Sequence, residues 1–267
     1  MTPRPTEFGG ADRPVDLQVP ANFDDSKTYP LVMVLHGYSA TGFIQEAYFG
    51  IKNEVDAGNA FVLAPDGLTD SMGHEYWNAD AACCDFDNSG VDDVGYLGGV
   101  LDDVIAAWPV DTSRVILLGH SNGGFMAYRL ACERADVVTT IGVLAGAATS
   151  NTCTPTTAVD VLHIHGTDDT EVPYGGGTTL ESNTMFPGAL ASTMRWAGFD
   201  TCATTMTDGA TVDLDTSIAG AETQISTYGC SANAVELWTM NGSSHIPAMN
   251  STFEPMLWTW LSTHGRM

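Results

Sequence analysis

Short, continuous apolar runs alternate with longer stretches of helical spacing along this chain. PLVMVLHG (30–37) and AFVLAPDG (60–67) end in turn residues, as strands buried on both faces do. RVILLGH (114–120), TTIGVLAG (139–146), VDVLHIHG (159–166) and VELWTM (235–240) repeat the pattern, while RPVDLQV (13–19) alternates like a half-exposed strand. Between them, VDDVGYLGGVLDDVIAAW (91–108), GFMAYRLACER (124–134) and MLWTWLSTHG (256–265) have helical spacing, with Asp93 placed to cap the first. This alternation predicts an α/β fold, a mostly parallel sheet with helices on both faces. In such sheets catalytic groups collect at the carboxyl ends of the strands.

With 267 residues, 44% of them hydrophobic, the chain can build one well-cored domain. No repeat or linker divides it, so a single domain over 13–267 is expected, preceded by an extension over 1–12. No apolar run approaches the roughly 20 residues of a membrane span. The first residues, MTPRPTEFGGADRP, lack the basic and apolar regions of a signal peptide.

Charge narrows the function further. Thirty-three acidic residues oppose nine basic ones, a formal net charge of -24. A field of that sign repels phosphate backbones and anionic headgroups, which argues against nucleic-acid and membrane partners. It suits a neutral or weakly charged substrate, small or polymeric, and a monomer is expected. The six cysteines show no zinc-type spacing, which favours disulfides and an extracellular, secreted protein. Cys202 and Cys230 sit near the ends of a Thr/Asp/Gly-rich excursion, and Cys132 and Cys153 flank one strand. Cys83 and Cys84 then form either a vicinal bridge or two free thiols.

Gly119-His120-Ser121-Asn122-Gly123 matches G-x-S-x-G between a buried strand and a helix. A sharp strand-to-helix turn lifts the serine hydroxyl clear of the sheet, and flanking glycines let the two elements approach. Ser121 is therefore the candidate nucleophile. In hydrolases built on such a turn, the acid and then the histidine follow later strands in chain order. Gly166-Thr167-Asp168-Asp169 places two carboxylates directly after one strand, and Asn241-Gly-Ser-Ser-His245 places a histidine after the last. Placement alone does not separate Asp168 from Asp169. The loop HGYSATG (36–42) nominates the Tyr38 backbone N–H as one oxyanion donor, and the Asn122 N–H, next to the nucleophile, is the other. His36 reads as structural, His120 as a residue lining the acyl pocket, and His163 and His165 as satisfied sheet positions.

Together, LVMVLHGYSATG, APDG with YWNADAACC, GVDDVGYL, GHSNGGFMAYRLAC, HIHGTDDTEVPYGG and NGSSHIPAM resemble the secreted polyhydroxybutyrate depolymerase and feruloyl esterase group of α/β-hydrolases. The resemblance runs from about Arg13 to the C-terminus. It implies an α/β-hydrolase fold without a large lid domain and a serine esterase acting through an acyl-enzyme on bulky or polymeric esters. It implies Asp169 as the acid and His245 as the base. The group's usual Gly-His-x-Trp-Pro-Gly departs here to Ser-His245-Ile246-Pro247, which makes Ile246 a candidate substrate contact. Trp77 matches a position near the cleft and is a candidate wall for the substrate, with a packed core tryptophan the equal alternative.

No cofactor or metal is expected. Asp85, Asp87, Ser89 and Asp92 suggest a calcium loop, but Tyr96 stands where its last acid belongs, so they read as solvated acids and a helix cap. A serine peptidase or a cytosolic thioesterase of the same fold are the competing functions. The 174–233 insertion is expected to shape one wall of the cleft.

Overall fold

The computed structural model describes residues 3–148, 153–179 and 182–266. Eight strands form one sheet: β1 (Tyr29–Leu35), β2 (Phe61–Leu63), β3 (Val110–His120), β4 (Thr140–Leu144), β5 (Asp160–Gly166), β6 (Met206–Val212), β7 (Thr223–Tyr228) and β8 (Val235–Met240). Their order across the sheet is β6-β7-β8-β5-β4-β3-β1-β2. From β8 to β2 all neighbours pair in parallel, and β7 and β6 add an antiparallel edge. This is the expected α/β-hydrolase-type sheet.

The continuous apolar runs follow from burial on both faces. In β1, Leu31, Met33 and Leu35 join one core cluster while Val32 and Val34 join the other. Helices α3 (Asp93–Ala107), α4 (Asn122–Glu133) and α5 (Ala189–Phe199) cover the first face through Leu97, Phe125 and Trp196. Helices α1 (Gly42–Phe49), α2 (Lys52–Asp56) and α6 (Phe253–Thr263) cover the second through Phe49, Val55 and Leu257. Among the described residues, no large lid separates β4 from β5.

Several boundaries differ from the sequence reading. The strand expected over 13–19 is confined to Val15–Asp16, which pairs with Glu7–Phe8. The N-terminal segment is tied down further by a bond from Trp108 Nε1 to the Pro5 carbonyl, 2.7 Å. Asp92, not Asp93, caps α3, accepting from the Gly95 N–H at 2.8 Å. Asp93 is drawn inward by Arg13, 2.7 Å away, and also accepts from the Asn78 N–H. All six cysteines pair, as Cys83–Cys84, Cys132–Cys153 and Cys202–Cys230. Asp85 closes a local turn by accepting from the Ser89 and Gly90 N–H groups, and Asp87 accepts from the Ser71 N–H across the loop.

The turn between β3 and α4 tolerates no side chain at its glycines. A Cβ on Gly119 would strike the Gly123 carbonyl, and one on Gly123 would strike the carbonyl of Leu35 on the neighbouring strand. Backbone cannot yield there as a flexible side chain would. Gly99, inside α3, faces open space instead. Gly123→Ala should therefore lower the unfolding free energy in urea by about 2–3 kcal/mol. Gly99→Ala should be neutral or gain roughly 0.5–1 kcal/mol. Equal effects at the two sites would contradict the packing argument.

Asp200 ends α5 and is buried. Burial, reinforced by the Asp160 carboxylate, pushes its carboxyl up to about 7. The folded state thus holds this proton more tightly than the unfolded chain, whose carboxyl titrates near 3.8. The contribution is fully present below about pH 4 and is lost as pH rises through 7. Asp200→Asn removes that titration. Its stability relative to wild type should rise between pH 4 and pH 8, by about 4 kcal/mol at most and less to the extent that solvent screens the carboxyl. Paired urea titrations at the two values check this, and a difference that stays flat with pH refutes it.

Candidate active site

The strands that end in candidate residues run parallel in one sheet, β8 beside β5 and β3 one strand further on, so their carboxyl ends share one edge. β3 delivers Ser121, β5 delivers Asp169 and β8 delivers His245. Ser121 sits between β3 and α4 with φ 53° and ψ −122°. Such a backbone costs about 1–3 kcal/mol and persists only where its surroundings enforce it. Here the Ser121 N–H donates to the Leu144 carbonyl at 2.9 Å, and the Ser121 carbonyl accepts from Gly124 and Phe125.

Asp169 is buried, and all its acceptor capacity is used. Oδ1 takes the Glu171 and Val172 N–H groups at 2.9 and 2.8 Å. Oδ2 lies 2.7 Å from His245 Nδ1 and 3.3 Å from His165 Nε2. Burial alone would raise this carboxyl, but the bonds from His165, His245 and the Val172 backbone outweigh it and hold the group well below the usual carboxylate range. Asp168 is left to brace the loop through its N–H, which donates to the Ser243 carbonyl.

His245 is itself buried, at 5% exposure. Its loop is fastened by Tyr48, whose hydroxyl donates to the Pro247 carbonyl at 2.9 Å. His120 adds a second fastening, with Nε2 3.0 Å from the His245 carbonyl and its ring 4.9 Å from the His245 ring. Burial and the neighbouring His245 depress His120 to about 3, so it stays neutral and donates from Nε2. Glu171 Oε2 lies 3.7 Å from His245 Nε2 on a side chain that is mostly exposed. The Ser121 hydroxyl and the His245 ring face one cavity, with no hydrogen bond formed between them in this state. Such contacts commonly close only when substrate is bound.

That cavity holds about 260 Å³. Tyr38, Ser121, His120, His245 and Ile246 all line it. Phe86 and the Cys83–Cys84 pair supply apolar wall, and Val172 and Thr179 bring in the start of the insertion. Tyr38 turns its hydroxyl away from Ser121's helix, bonding Asp70 at 2.5 Å and His74 at 2.9 Å. Gln45 Oε1 accepts from the Gly37 N–H at 3.2 Å and shapes the same loop.

Trp77 corrects an expectation. It is fully buried and lines no part of the cleft. Its Nε1–H donates to the His36 carbonyl at 3.0 Å, and its backbone exchanges two bonds with the Asn122 side chain, at 2.7 and 2.9 Å. The indole thus clamps the Tyr38 loop to the turn bearing Ser121. The ring nitrogens of His36 are also engaged, with the Gly37 carbonyl and the Gly67 N–H, which fits its structural reading. Sequence reasoning missed Tyr48, Gln45 and Glu171, and it read His165 as a satisfied sheet position without its approach to Asp169. For His165 a signal was present, a polar ring two residues before the acid loop in an otherwise aliphatic strand.

Comparison with known proteins bears on family and fold. The chain is 31% identical over 170 residues to a protein named probable feruloyl esterase C from Aspergillus terreus, spanning 61% of this chain and 57% of that protein. The chain thus covers little more than half the length of that relative. Feruloyl esterase D of Neurospora crassa is 25% identical over 94% of this chain and 81% of its own length. The solved acetyl xylan esterase from Aspergillus awamori superposes over 97% of this chain and 98% of its own with a TM-score of 0.63 at 16% identity, which speaks for the fold. Residues 22–185 match the phospholipase/carboxylesterase family, and with more than half its length inside that match the chain belongs to this family of α/β-hydrolases.

Proposed function

We propose that this protein is a secreted serine carboxylesterase that cleaves bulky or polymeric esters, of the feruloyl-polysaccharide or polyester type, through an acyl-enzyme on Ser121. The observation that carries the reading is the 2.7 Å bond between Asp169 and His245 Nδ1, beside a cavity that Ser121 also lines.

A carboxylate on Nδ1 fixes the tautomer that leaves the Nε2 lone pair available to the serine. His245 then takes the Ser121 proton as Oγ attacks the ester carbonyl, forming a tetrahedral oxyanion. The Asn122 N–H belongs to the first turn of α4, where helix N–H groups have no partner within the helix. With the Tyr38 N–H it is assigned to that oxyanion. His245 returns the proton to the leaving alcohol, and water repeats the sequence to release the acid.

The apolar wall of Phe86, Cys83–Cys84, Ile44 and Ile246 suits an aromatic or branched acyl group. The relatives carrying feruloyl esterase names favour a feruloyl-type acid. Three disulfides fit an oxidising, extracellular compartment.

A panel of p-nitrophenyl esters, methyl ferulate and insoluble polyester films tests the reading on wild type and variants. Wild type should hydrolyse esters. Ser121→Ala should lose about 10⁴–10⁶-fold in kcat, and Asp169→Asn about 10³–10⁴-fold. Ester hydrolysis that survives Ser121→Ala would remove the acyl-enzyme mechanism.

A further inference from the structure

Two histidines stand in the sheet where aliphatic side chains would be expected. Along β5 side chains alternate between the two core faces, so Val161, His163 and His165 share one of them. Both imidazoles are buried, at 0% and 1% exposure. Burying a polar ring is costly unless its nitrogens find partners. Here every one does. The Tyr128 hydroxyl, from α4, lies 2.9 Å from His163 Nδ1. His163 Nε2 lies 3.0 Å from His165 Nδ1. His165 Nε2 lies 2.8 Å from the Val172 carbonyl and 3.3 Å from Asp169 Oδ2.

One proton assignment satisfies this chain with both rings neutral. A carbonyl only accepts, so His165 carries its proton on Nε2. Its Nδ1 is then an acceptor, and His163 donates to it from Nε2. His163 Nδ1 in turn accepts from the Tyr128 hydroxyl. Burial, with His165 alongside, holds His163 well below the ordinary imidazole range, and burial raises Tyr128. Each donor therefore points the same way, and the bond dipoles add with their positive end at the Asp169 carboxylate.

We propose that His165, backed by His163 and Tyr128, is a positioning residue that fixes the orientation of Asp169 and, through it, the ring angle and tautomer of His245. The inference rests on the reading of Asp169 and His245 as catalytic acid and base. His245 Nδ1 donates to Oδ2, and the His165 Nε2–H, bonded to the Val172 carbonyl, lies 3.3 Å from that same oxygen. Without His165 that oxygen is held by His245 alone, and the carboxylate is free to swing about the anchor that Oδ1 makes to the Glu171 and Val172 N–H groups. A space-filling role would need none of this directionality, since leucine would fill the site as well.

The test compares His165→Leu, His165→Gln and Tyr128→Phe with wild type, on p-nitrophenyl acetate well below each melting temperature. His165→Leu should lower kcat about 10–100-fold with KM within about twofold. His165→Gln, whose amide N–H can reach the same oxygens, should recover to within about fivefold of wild type. Tyr128→Phe, which keeps shape and fold, should lose a few-fold in kcat. Nitrogen-15 NMR of wild type should show His163 and His165 as neutral Nε2–H tautomers. The downfield Nδ1–H proton of His245 should shift in both His165→Leu and Tyr128→Phe. Wild-type kcat in His165→Leu, equal loss in the Leu and Gln variants, or an Nδ1–H tautomer at either ring overturns the proposal. If wild type cleaves no ester, the esterase reading falls by itself. The NMR arm then decides alone: a His245 signal unmoved in both variants would overturn the positioning chain.

Discussion

A charged carboxylate buried at the end of a strand is the constraint around which this edge of the molecule is organised. Taking an ionised group out of water costs several kcal/mol unless its oxygens are fully bonded. Asp169 meets that demand with two backbone N–H groups of its own turn and two imidazoles from different parts of the chain. The requirement acts in both directions. The carboxylate holds His245, and His245 with His165 makes a buried carboxylate tolerable. Neighbouring loops interlock to maintain it. The Thr167 N–H donates to the Met240 carbonyl, and the Gly242 N–H donates to Thr167 Oγ1 at 2.8 Å. Gly166 makes the crossing possible, because a Cβ there would strike the Ser243 carbonyl.

The opposite side of the cavity is built on steric exclusion rather than charge. Strand, turn and helix approach so closely around Ser121 that glycines at 119 and 123 are obligatory. The Asn122 side chain then ties the turn to Trp77, and Trp77 ties it to the strand end that carries Tyr38. The turn bearing Ser121 and the Tyr38 loop are thereby tied together. A loop excursion on one side cannot relax without breaking buried bonds on the other.

The parallel strands were legible because burial on both faces writes itself as an unbroken apolar run, and β8 matched its expected span, Val235–Met240, to the residue. Other elements were hidden by context. In α1, Phe43 and Ile44 face solvent at 78% and 57% exposure while Gln45 and Glu46 are buried, which inverts the amphipathic pattern. Burial of Glu46 is made tolerable by Gln18 Nε2 at 2.7 Å, a partner far away in sequence. The antiparallel edge strand β6 is mostly exposed and rich in Thr, Asp and Gly, so its pairing with β7 leaves no apolar trace. The candidate site residues were readable where chemistry requires a residue type at a fixed place after a strand. Trp77 was misjudged because nearness in a motif does not say on which side of a loop a ring packs. His165 was passed over because its value lies in a partner four residues on, reached only after the chain turns.

Charge connects the site with the surface around it. The chain carries -24 overall, and Glu171 adds an exposed carboxylate at the rim of the cavity, 3.7 Å from His245 Nε2. For a neutral ester this field is nearly indifferent on entry. Hydrolysis turns one neutral reactant into an alcohol and a carboxylate, and the same field then acts on the product alone. Repulsion between that anion and the surrounding acids favours its departure and opposes its rebinding. Salt screens the exposed part of this effect within about 10 Å at moderate ionic strength, while the buried Asp169, shielded from water, keeps its hold on His245. The two groups of acids thus divide along burial: an ion locked by hydrogen bonds sets the geometry of His245, and solvated ions set which charges linger near it.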